Sequence, residues 1–106
     1  MPTIQIAKPY RVFYQLPGKK FSFLDRKDLT VAGLSQTHVL VAEVKACFLD
    51  GVFLMMQAES WSPNGEARGL IQRLGLQHTS MFMNDVVQDP NGEYWQCMLA
   101  GWRKLN

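Results

Sequence analysis

His78-Thr79-Ser80-Met81, Asn84-Asp85-Val86-Val87, Asp89-Pro90-Asn91-Gly92 and Glu93-Tyr94-Trp95-Gln96-Cys97 follow one another in the last third of the chain. Together they read as two short strands joined by a turn. Asp89 suits the first position of a type I turn, Pro90 presets φ at the second, and Asn91 tolerates the bridge region. Gly92 supplies the positive φ of the bulge that follows. Asn84-Asp85 interrupts the first strand, because both residues favour turns over strand interiors.

Upstream of this pair, Ala67, Leu70, Ile71 and Leu74 recur at helical spacing and predict an amphipathic helix with Arg68, Gln72 and Arg73 on its wet side. Ser62 or Asn64 can cap it, Pro63 suits its first turn, and Glu66 lies near the positive end of the dipole. Gly75 stands where a left-handed C-terminal residue belongs. An earlier helix is expected over Val52–Glu59, with Asp50 as N-cap and Leu49 stapled onto Leu54. Its wide apolar surface predicts a sandwiched position.

His38-Val39-Leu40-Val41-Ala42 is apolar on both faces after the histidine, which predicts a central strand over Thr37–Ala46. Glu43 and Lys45 share one face and mark the end that reaches water. Tyr10, Val12, Tyr14 and Leu16 alternate with polar or outward residues and predict another strand, closed by Pro17-Gly18. Phe21-Ser22-Phe23 fits a short returning strand, and Asp25–Leu34 a brief helical turn ended by Gly33. Residues 1–9 read as a lead-in. Strands at both ends with helices between them predict one α+β domain over residues 1–106: a mostly antiparallel sheet with two or three short helices packed on one face.

The chain has 106 residues, 47% hydrophobic and 19% charged, enough apolar material for one core. Its net charge of +2 is too balanced to announce a nucleic-acid or membrane partner. Met1–Ala7 is too short and polar for the apolar core of a signal peptide, and no apolar run approaches a bilayer span. A cytoplasmic protein with Cys47 and Cys97 as buried free thiols is therefore expected.

His78, Ser80 and Asp85 form the candidate catalytic trio, since a serine needs a base and the base an orienting carboxylate. No Gly-x-Ser-x-Gly elbow surrounds Ser80, and satisfaction of backbone groups by Thr79 and Ser80 is the preferred reading, so no catalytic residue is assigned. Cys97 with His38 or His78 is the thiol counterpart, but Cys97 alternates with Trp95 and Leu99 on what reads as the core face. Two histidines and two cysteines without ligand spacing give no metal site, and no segment asks for a cofactor. Pro63–Gly69 lacks the lysine and glycine pattern of a phosphate loop. Arg11, Lys19, Lys20, Arg103 and Lys104 beside aromatic residues define an alternative, single-stranded nucleic-acid binding. Trp61, Trp95, Trp102, Tyr10 and Tyr14 are the candidate binding aromatics, with Met81 and Met83 nearby, and point to a protein partner or a self-contact.

Tyr14-Gln15-Leu16-Pro17-Gly18, Trp61-Ser62-Pro63-Asn64-Gly65-Glu66-Ala67-Arg68 and the His78–Trp102 pattern resemble small bacterial proteins of plasmids, integrative elements and integron cassettes. The C-terminal half is similar to YodL-like domains. Asn84 stands where that pattern has glycine, and asparagine also tolerates positive φ. The resemblance implies a mobile-gene origin and a fold of this kind, and it carries no functional residue. The expectation is a non-catalytic accessory or adaptor domain acting through a protein partner or self-association, with single-stranded nucleic-acid binding and a His78-based hydrolase as alternatives.

Overall fold

The computed structural model describes residues 6–18 and 26–106. The expected Phe21–Phe23 strand, Lys19, Lys20 and Asp25 lie outside them. Among the described residues the chain forms a five-stranded antiparallel sheet and four short helices, an α+β fold. The strands are β1 (Lys8–Gln15), β2 (His38–Ala46), β3 (Val86–Gln88), β4 (Tyr94–Cys97) and β5 (Trp102–Lys104). Their order in the sheet is β2-β1-β3-β4-β5. The helices are α1 (Leu34–Thr37), α2 (Leu49–Met55), α3 (Ala58–Trp61) and α4 (Arg68–Arg73).

Alternation in β1 holds as read: Tyr10, Val12 and Tyr14 are buried on one face, and Arg11 and Phe13 lie on the other. The buried face joins Val52 and Met56 from the α2 region, and Ala67, Ile71 and Leu76 around α4, in the main core. Each fully buried aliphatic side chain there contributes roughly 1.5–3 kcal/mol. A smaller cluster of Leu29, Leu34, Val86 and Leu105 covers part of the opposite face, with Phe13 and Tyr94 against it. The helical turn expected to end at Gly33 instead begins there, because Gly33 is the N-cap of α1.

The strand expected at the centre of the sheet is at its edge: β2 pairs only with β1 among the described residues. Val39, Ala42 and Val44 pack on the core that includes Val52 and Met56, while Leu40 on the other face is 39% exposed, so apolar residues on both faces did not mean two covered faces. Two-sided hydropathy also carries no information about whether the backbone has one neighbour or two. Register shifts between Val12 and Phe13, whose partners are Ala42 and Leu40, and Val41 is left over as an extra residue. This bulge keeps Val39, Ala42 and Val44 on the helix-covered face while Leu40 and Glu43 face away.

The turn at Asp89–Gly92 forms as expected. The Gly92 N–H donates to the Asp89 carbonyl at 3.0 Å, the Asp89 N–H to the Glu93 carbonyl at 2.8 Å, and Gly92 has φ +86°. Asp89 Oδ1 accepts from the Asn91 and Glu93 N–H groups at 2.9 Å each. The first strand of this pair is shorter than expected, since residues 78–85 run as loop and only Val86–Gln88 pair. A fifth strand, β5, adds to β4 and was not anticipated.

The helices depart from expectation in detail. Asp50 lies in the first turn of α2, not at its cap, and Leu54 is 66% exposed instead of stapled. Only Val52 within α2 is buried, so the helix lies on the surface rather than between layers. Before α4, Ser62 Oγ accepts the Ala67 N–H at 2.9 Å, and after it Gly75 takes φ +72°.

Candidate functional site

Asn84 and Asp85 organise the polar interior. Asn84 holds φ +77°, the one positive φ outside glycine among the described residues, and both residues are fully buried. Asparagine accepts this conformation at lower cost than most residues, and its side chain is used there. Asn84 Oδ1 accepts the Arg26 N–H at 3.0 Å and Gln96 Nε2 at 2.9 Å. The Asn84 carbonyl accepts His38 Nε2 at 2.7 Å. Gln96 Oε1 in turn accepts Arg103 Nε at 3.0 Å, and Gln96 Nε2 also donates to the Arg26 carbonyl. The loop before β3, the segment entering at Arg26, and strands β2, β4 and β5 are thus tied through one asparagine.

Asp85 does the same on its other side. Its Oδ1 accepts the Gln15 N–H at 2.9 Å, and its Oδ2 accepts the Phe82 N–H at 2.8 Å and His78 Nε2 at 3.0 Å. Burial pushes the carboxyl above its ordinary value, and the bonds from His78, Gln15 and Phe82 work against that. His78 is half-buried and stacks on the Tyr14 ring with centroids 4.6 Å apart. Tyr14 donates its hydroxyl to the Thr79 carbonyl at 2.7 Å, and burial, then the nearby Asp85 charge, push that phenol upward.

Of the sequence-derived trio, the fold brings His78 and Asp85 together and takes Ser80 elsewhere. Ser80 Oγ accepts the Ala58 N–H at 2.8 Å, at the start of α3, and makes no hydrogen bond to His78. Ser80→Ala is expected to cost about 1 kcal/mol, as for loss of a helix cap, measured by urea unfolding. A loss near zero would mean that water serves Ala58 equally well.

The tryptophans do not assemble into one group. Trp61 Nε1 donates to the Thr79 carbonyl at 3.0 Å, Trp95 Nε1 to Asp89 Oδ2 at 2.9 Å and Trp102 Nε1 to Asp50 Oδ1 at 2.9 Å. Each indole pins a different loop or helix end. Trp61 and Tyr14 share one acceptor, the Thr79 carbonyl. Arg11 is exposed, with its guanidinium 5.8 Å from the Phe13 ring. Arg103 is directed inward to Gln96, and Lys104 pairs with Glu93 at 2.9 Å. The basic group anticipated at one end of the sheet is thus partly engaged within the fold.

The two thiols differ. Cys97 is buried, and burial, with Asp85 and Asp50 adding, pushes it up to about 12. Cys47 is exposed, contrary to the expected buried pair, because it follows the last paired residue of β2 and precedes α2. Among the described residues no cluster of three His, Cys, Asp or Glu side chains could hold a metal ion. No helix among them is long and apolar enough to cross a membrane.

A second candidate lies on the surface at α2. Phe48, Leu54 and Met55 are 55%, 66% and 43% exposed. Gly51 precedes Leu54 and Met55 by three and four residues, so the three share a helix face. A Cβ at Gly51 would lie 3.9 Å from the Phe48 ring, which extends this face, and 3.7 Å from Ala46 Cβ, which places it against the end of β2. Leu99, 87% exposed, lines a depression with Phe53 and Trp102 on the flank of α2. Sequence reasoning missed this surface because an apolar residue on a short helix reads as core until its partner layer is found to be absent. It likewise missed Gln15, Gln96 and Arg26 as partners of the Asn84–Asp85 loop; the one visible signal was two glutamines within otherwise aromatic strands.

No protein-family model matches the chain, and neither do curated proteins or solved structures.

Proposed function

We propose that this domain is a non-catalytic accessory or adaptor module that acts through protein contacts on the α2 surface. One observation carries the reading: Phe48, Leu54 and Met55 form an exposed apolar helix face at the end of β2, a strand that pairs on one side only among the described residues. Clustered apolar exposure next to open strand hydrogen-bonding groups is characteristic of interaction surfaces. The polar residues that stand out in the sequence support the same view, since Ser80, Asn84 and Asp85 direct their side chains to backbone groups. The resemblance to small proteins of mobile elements supplies the setting for such a module.

The test is a photo-crosslinking side chain placed at position 54 or, as control, at exposed position 72, in cells of the source organism. Position 54 is expected to yield one discrete adduct, mapped by mass spectrometry to a single protein, and position 72 none. Met55→Lys should remove the adduct. The same background at both positions would overturn the reading.

The second reading, a small hydrolase-like enzyme, draws on the 3.0 Å contact between His78 and Asp85. A histidine oriented by a buried carboxylate can act as a general base. An activity screen of the wild type against His78→Ala decides it: equal rates on every substrate end that reading.

A further inference from the structure

We propose that the occupant of the β2 edge is a second copy of the same chain, paired antiparallel about Val44. The inference deepens the protein-contact reading above and rests on it. Five-residue stretch Ala42-Glu43-Val44-Lys45-Ala46 is palindromic in character: the end residues are alike, and the inner pair are opposite charges. When two such strands run antiparallel with Val44 facing Val44, Glu43 of each copy faces Lys45 of the other. Residues directly opposite lie about 4.5–5.5 Å apart at Cβ, close enough for an ion pair across the strands.

Both charges are available for this. Glu43 and Lys45 are exposed and form no ion pair among the described residues, even though Arg11 is the register partner of Glu43 within the sheet. Charged residues on an edge strand normally discourage pairing. Here they discourage other registers and favour one, because sliding a strand by two residues breaks both ion pairs at once. Ala42 would face Ala46 on the helix-covered side, where small side chains let the strands approach.

The two-fold axis stands perpendicular to the sheet, so the helices of both copies lie on the same face. Because Ala46 of each strand faces Ala42 of the other, the two α2 helices follow from opposite ends of the paired segment. Strand pairing sets the register, and the main-chain hydrogen bonds of the two edges join the two sheets into one.

Light scattering on the eluting full chain, at loadings up to about 100 micromolar, tests this, a range that captures dimers of micromolar affinity. The wild type is expected to be a dimer. Glu43→Lys sets Lys against Lys at two places, and Lys45→Glu sets Glu against Glu. Each single variant should weaken the dimer roughly tenfold or more. Mixing the two single variants, or combining both changes in one chain, restores opposite charges at both places and should restore the dimer. Circular dichroism of each variant confirms folding. A monomeric wild type overturns the inference, as does a dimer indifferent to the reversals or one not rescued by mixing. Failure of this pairing alone leaves the protein-contact reading intact if position 54 still crosslinks to a different protein. Failure of both requires that position 54 yield no specific adduct.

Discussion

Asp85→Ala is expected to lower the unfolding free energy by roughly 3–5 kcal/mol, a large share of the 5–15 kcal/mol typical of such a domain. The size follows from what is left behind. The buried Gln15 N–H loses its carboxylate acceptor, at about 1–3 kcal/mol, the part-buried Phe82 N–H loses its own at a smaller cost, and His78 loses the partner that orients it. Gln15 ends β1 and Phe82 begins the turn into β3, so the loss also loosens the junction between the two strands. Asp85→Asn keeps one oxygen for Gln15 but sets an amide against the Phe82 N–H, and should cost about 1–3 kcal/mol. His78→Ala leaves both backbone bonds to Asp85 in place and should be the mildest of the three. Urea unfolding of the series gives this order directly. If Asp85→Ala unfolds at the wild-type midpoint, the carboxylate is not what joins these strands.

Lowering the pH from about 6.5 to about 4 is expected to remove roughly 3 kcal/mol of stability through His38 alone. His38 is 4% exposed, and its folded-state pKa is lowered to about 4, chiefly by desolvation, with Arg26 adding and the bond to Asn84 opposing. The imidazole therefore stays neutral in the fold. Its Nε2 donates to the Asn84 carbonyl at 2.7 Å, and its Nδ1 accepts the Thr37 hydroxyl at 2.9 Å. An unfolded chain takes up a proton near pH 6.5 while the folded one does not, so the unfolded state binds more protons within that window. Stability then rises with pH across it, is full above about 6.5, and loses no more to this group below about 4. His38→Gln retains a donor for the Asn84 carbonyl without titrating in this range. Urea midpoints measured from pH 7.5 to 4 should fall more steeply for the wild type than for His38→Gln. Parallel curves would mean that the ring takes its proton without leaving the fold.

Much of the local structure was legible in the residues. The turn at Asp89–Gly92, the buried face of β1, the helix around Ile71 and its glycine stop follow from φ preferences and side-chain periodicity, which act within a few residues. The contact of His78 with Asp85 was not legible in this way, since periodicity placed His78 beside Ser80 and the Asn84 turn instead brings in Asp85. Ser80 could not be placed in this way. Its oxygen serves an amide twenty-two residues earlier in the chain, a distance over which periodicity has no reach.

The sequence by itself determined the elements: where the backbone turns, which strand face is apolar, and the α+β class that follows from their order. Tertiary structure alone decided that β2 is an edge and not a centre among the described residues, that α2 leaves Leu54 and Met55 exposed, and that Asn84 and Asp85 gather bonds from both halves of the chain. Hydropathy measures how much a residue gains by leaving water, not which neighbour covers it. Hydrogen-bond partners seventy residues apart, such as Gln15 and Asp85, are chosen only when the strands are laid side by side.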